Sequence, residues 1–104
     1  MKKIIFDGNN FSDEKGFDLE VKRNLTKDIT WIDYNKSEGL NLNAFNDFLR
    51  SNFNVTTYEE PYELVWKNFE KSKKDLSDDY NGRPIIERIL EIIRDHKHIT
   101  LTLE

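Results

Sequence analysis

The sequence predicts an α/β fold, a small three-stranded parallel sheet packed by about four helices, and three observations carry that prediction. Short β-prone runs stand near the start, middle and end of the chain: Lys2 to Asp7, Tyr62 to Trp66, and Ile99 to Leu103. Segments with helical periodicity separate them. Strands divided by helices pair in parallel, because parallel neighbours need a crossover connection. At 104 residues the chain suits one domain, residues 1–104, with a single core and no staples.

Lys2 to Asp7 alternates weakly around Ile4, Ile5 and Phe6, and Gly8-Asn9-Asn10 marks the turn that ends it. Ser12 offers an N-cap, with Asp13 and Glu14 favourable at a helix N-terminus. Phe17, Val21 and Leu25 recur at i, i+4, i+8, giving a first helix from about Asp13 to Leu25. Thr26 to Glu38 has no helical period; it holds Trp31, Ile32 and Tyr34 and closes on the loop-like Asn35 to Gly39. Asn54 to Pro61 is a polar connection, and YELVW at Tyr62 reads as a buried central strand. Asn68 to Asp75 is a short charged helix with Phe69 inward, and Ser77 to Gly82 is a loop or turn. Pro84 suits the first position of a helix. Ile85, Ile86, Ile89, Leu90, Ile92 and Ile93 form its apolar face, and it ends near Lys97. His96 and Lys97 stand where a helix C-terminus favours positive charge. Ile99, Leu101 and Leu103 alternate with threonines as the last strand.

The chain is organised around Gly39 to Ser51, GLNLNAFNDFLRS. Leu42, Phe45 and Leu49 form an apolar helix face, widened by Phe48 and Phe53. Asn43, Asn46, Asp47 and Arg50 form the opposite face, also at i, i+3, i+4, i+7. Solvated helix faces are usually built from Glu and Lys, which keep rotamer freedom, whereas Asn and Asp are poorer helix formers. The face is either a tolerated surface or one kept for contact. Aromatics in the preceding loop, Trp31 and Tyr34, either tuck onto the core edge or serve as binding anchors.

Twenty acidic against sixteen basic residues give a net charge of −4. That disfavours nucleic acid, which calls for a concentrated basic surface, and suits a basic partner. With no cysteine there is neither a disulfide framework nor a thiolate metal site. MKKIIFDGNN lacks the apolar length and cleavage site of a signal peptide. No run approaches the roughly 20 apolar residues of a membrane span, so the expected compartment is the cytoplasm.

No catalytic or metal site emerges. Placing Ser77, Asp79, Asn81 and Gly82 on a calcium loop puts Arg88 where the loop requires an acid. No nearby Asp or Cys completes a ligand set with His96 and His98. The glycines are scattered, so no phosphate loop forms, and no serine has a readable His and Asp partner set. Asp47 and Glu91 could be paired as two carboxylates, but nothing else suggests a substrate pocket. The reading is a non-enzyme with no cofactor and no metal.

The pieces KKIIFDG, NLNAFNDFL, YELVWKNFEKSK and ITLTLE, in that order, resemble barstar-like ribonuclease inhibitors over nearly the whole chain. The resemblance implies a three-stranded parallel sheet packed by helices. It implies an immunity protein that plugs the active site of a basic ribonuclease toxin with its second helix and the loop before it; when free, the protein is expected to be a monomer. The central carboxylate of that helix, which takes the place of a substrate phosphate, falls on Asp47. The implied contact set is Asp47, Asn43, Asn46, Arg50, Ser51, Gly39, Tyr34, Trp31 and Glu91. The chain departs from the family at Asn43, where an acid is usual, at Asn46, where an aromatic is usual, and at Arg50, where a small polar residue is usual. Those departures point to a different nuclease from the family's type partner. The alternative is a module of the same shape that regulates a non-nuclease protein.

Overall fold

The structure, a computed structural model, describes residues 2–27 and 39–104. In chain order these form β1 (Lys2–Asp7), a 3-10 turn (Gly8–Asn10), α1 (Glu14–Leu25), α2 (Leu42–Arg50), β2 (Tyr62–Lys67), α3 (Phe69–Asp75), β3 (Asp79–Tyr80), β4 (Arg83–Pro84), α4 (Ile85–Asp95) and β5 (Ile99–Leu103). The main sheet has the order β1-β2-β5 and both pairings are parallel. This is the α/β architecture expected, with four helices against a three-stranded sheet.

The strand order decides where the helices go. Two successive crossovers that step the same way across a sheet, each right-handed, lie on the same face. Ile4 and Phe6 align with Leu64 and Trp66, and these with Leu101 and Leu103. That face carries the core, against Phe17, Val21 and Leu25 of α1, Phe45 and Leu49 of α2, and Ile89 and Ile93 of α4. The opposite face is largely exposed at Lys3, Ile5 and Thr100, and only Val65 on it is buried.

At the centre sits Phe17, with no exposed surface. Its ring stacks on Trp66 at 5.2 Å and meets Phe6, Phe11 and Phe45 edge-on at 5.8, 5.4 and 5.7 Å. One side chain therefore couples α1, α2, β1 and β2. The strand-to-helix segment after Trp66 is as compact. Asn68 turns the chain in a left-handed conformation, Phe69 packs edge-on against Trp66, and Ser72 Oγ accepts the Trp66 Nε1–H at 2.9 Å. Gly8 lies against this corner: a Cβ there would fall 2.5 Å from the Asn68 carbonyl oxygen.

Four local expectations are corrected. Asp13 rather than Ser12 caps α1, its Oδ1 accepting from the Gly16 backbone at 2.8 Å. Pro84 precedes α4 as its cap residue instead of opening the helix. The Ser77 to Gly82 loop contains half of a small antiparallel hairpin, β3 with β4, turned by Asn81 and Gly82, both at positive φ. That is the two-residue turn an Asn-Gly pair favours. His96 follows α4 as a buried residue, 5% exposed, instead of a charged terminus.

Because Phe17 joins four elements, Phe17→Ala should destabilise the fold by about 3–5 kcal/mol. Urea unfolding followed by tryptophan fluorescence would measure it; a loss under about 1 kcal/mol would show that the aromatic cluster can collapse around the cavity.

Candidate protein-binding face

α2 is positioned from both ends. Gly39 approaches it at φ 99°, a conformation that side-chain-bearing residues rarely adopt. Asn41 caps it, its Oδ1 accepting from the Ala44 backbone at 3.1 Å. At the other end the Leu49 carbonyl, one of the last four without a helical donor, accepts from the Tyr62 hydroxyl at 2.8 Å and lies 3.1 Å from His98 Nε2. Those two side chains stand at the starts of β2 and β5. Phe45 and Leu49 are buried beneath, so the helix is fixed in height and rotation.

The polar face predicted for α2 divides in two. Asn43, Asp47 and Ser51 are exposed, and at i, i+4, i+8 they form a line about 12 Å long. The Asp47 carboxylate has no ion pair or hydrogen bond to another described residue, whereas the carboxylates of Glu60, Glu63, Asp75 and Glu91 are paired with Lys2, Lys3, Lys71 and Arg83. Asn46 and Arg50 turn inward and are half-buried. Asn46 Oδ1 lies 2.7 Å from His96 Nε2. Arg50 lies close enough to His96 to act on its charge, and its Nε is buried without a hydrogen-bond partner among the described residues.

The remaining expected contacts are dispersed. Glu91 stands on α4 and ion-pairs with Arg83 across 2.5 Å, without hydrogen-bond alignment, and no described hydrogen bond or ion pair joins it to α2. Trp31 and Tyr34 lie outside the described residues.

Two aromatics not singled out from the sequence are exposed nearby in the chain or the fold: Tyr80 shares a cleft with Asn43, and Tyr58 precedes the residue that bonds back to the end of α2. Glu59 adopts a left-handed backbone at φ 59°, and its N–H donates to the Arg50 carbonyl at 2.9 Å. This folds the connection after α2 back on the end of the helix, and Tyr58, next to Glu59 in the chain, is 64% exposed. At the other end, a cleft of about 330 Å³ runs between Asn41, Asn43 and Tyr80, with Glu14 on its wall. Burial, then the hydrogen bond and charge of Asp78, raise the Glu14 pKa above its ordinary value. The sequence signal for Tyr58 was the unusual TTYEE run before Pro61, a polar stretch carrying one large ring.

His96 is held neutral. Burial lowers its pKa below 6.5, and His98 and Arg50 lower it further, against smaller opposing effects of Asp95 and Glu59. The unfolded chain therefore binds the extra proton first as pH falls. Stability from this group is fully present above pH 6.5 and declines as pH drops through that value towards the lower folded pKa. Urea midpoints should fall between about pH 7 and about pH 5, before most carboxylates titrate, and His96→Gln should flatten that slope. Tyr62→Phe should cost about 1 kcal/mol by removing one donor from the Leu49 carbonyl; an unchanged urea midpoint would show that water replaces it. No protein-family model matches the chain, and no curated protein matches it either.

Proposed function

We propose that this chain is a barstar-like inhibitor, an immunity protein that binds and occludes the active site of a basic ribonuclease and catalyses nothing itself. The observation that carries the reading is Asp47: an exposed carboxylate, unpaired by any described residue, at the middle of a polar line on a helix capped by Asn41 and tied at its other end to Tyr62. A nuclease active site binds phosphate through cationic side chains, and a carboxylate accepts paired guanidinium donors much as a phosphate does. Holding the carboxylate on a preset helix lowers the ordering cost of association. The net charge of −4 would draw a basic partner in from a distance.

On this reading Asn43 supplies amide donors and acceptors where a second charge could stand, and Asn46 is a support instead of a contact. Arg50, half-buried, is turned from the cationic cleft it would otherwise repel. The protein would act in the cytoplasm of the cell that makes the ribonuclease. No helix among the described residues is long and apolar enough to cross a membrane.

Affinity capture from the source cells with wild-type and Asp47→Ala baits should retain a ribonuclease only on the wild type. With that enzyme purified, Asp47→Ala should raise the inhibition constant at least about 30-fold, about 2 kcal/mol. An unchanged constant would remove Asp47 from the contact, and capture of a partner without ribonuclease activity would favour the regulatory alternative. The association rate should fall as salt rises, and Asn43→Asp should raise it.

A further inference from the structure

We propose that the outer face of α4 and the free edge of β5 form the interface of a two-fold symmetric dimer of this chain. The two edges of the sheet are unlike. β1 carries Lys2, Lys3 and Asp7, charges of the kind that discourage pairing with another strand. β5, Ile-Thr-Leu-Thr-Leu, has no charge and no proline, and among the described residues it pairs only with β2. Leu103 on it is 39% exposed. Beside it, between α3 and α4, lies a groove of about 380 Å³ with Phe69, Ile86, Leu90 and Leu103 in its walls. An uncharged edge strand next to an apolar groove is a surface that calls for a cover.

The charges on the rim select the cover. Glu87 and Arg94 both border the groove, both are exposed, and neither forms an ion pair with another described residue. They lie seven residues apart on α4, two helical turns, with Leu90 between them. An isologous contact must complement itself. Setting two copies of α4 antiparallel about an axis between Leu90 and Glu91 places Glu87 of each against Arg94 of the other, with the two leucines beside the axis. The eleven residues of α4 span about 16 Å and the five of β5 about 17 Å. The two elements are thus of matching length, and Leu90 shares the groove with Leu103 of β5, so a two-fold axis normal to the sheet can also pair the two β5 strands antiparallel into a six-stranded sheet. Lys73, the third charge lining the groove, is paired with Glu70 at 3.7 Å, so a foreign peptide of one charge sign would match one of the two remaining rim charges and oppose the other. Asn43, Asp47 and Ser51 line no part of this groove, so each copy would keep its polar line open. The dimer would stand in place of the monomer expected from the sequence, and it does not depend on the ribonuclease reading.

Sedimentation velocity over a wide concentration range tests the arrangement. Wild-type protein should reach twice the chain mass of 12.5 kDa. Glu87→Arg and Arg94→Glu, both at exposed positions and with far-UV circular dichroism unchanged, should each sediment at the single-chain mass. One variant then has cations at both positions 87 and 94 and the other has anions at both, so an equimolar mixture should return to twice the chain mass. Wild-type protein at the single-chain mass throughout would overturn the proposal. So would single variants that remain dimeric, or a mixture that does not reassociate.

Discussion

A nine-residue helix does not hold its own shape in water, because nucleating the first turn costs more than so few hydrogen bonds return. Everything attributed to α2 therefore depends on what holds it in place. Two hydrogen bonds converge on the Leu49 carbonyl, from the first residue of β2 and from the residue before β5, while Phe45 seats against Phe17. The sheet, the aromatic cluster and the helix end are thus one assembly. Its result is a fixed line of Asn43, Asp47 and Ser51 on the surface.

Periodicity and composition made the frame legible. The three strands, the central place of YELVW and the four helices follow from apolar spacing, since each apolar stripe has only one core in which to be buried. The alternation in ITLTL likewise placed Ile99, Leu101 and Leu103 on the face aligned with Tyr62 and Leu64. The short hairpin at Asn81 and Gly82 escaped because two-residue strands carry no period. Ser12 and Asp13 are both good caps, and only the backbone geometry chooses between them.

The candidate face was legible in part. A helical wheel places Asn46 and Arg50 beside Asp47, and it does so correctly for an isolated helix. It cannot say that α4 ends next to them, bringing His96 within 2.7 Å of the Asn46 side chain. Nor does a sequence reveal that a histidine after a helix is buried: 50 positions separate the partners. What looked like an amide in a contact surface is the acceptor that keeps a buried imidazole satisfied. The exposed part of the face is consequently narrower than the sequence suggested, and Asp47 carries its only charge.

A double-mutant cycle between Asp47→Ala and alanine replacements of the active-site cations of the captured ribonuclease tests this account most directly. The account predicts a coupling energy of at least about 1.5 kcal/mol with one or more arginine or lysine side chains. Additive effects across every such pair, within about 0.5 kcal/mol, would contradict it.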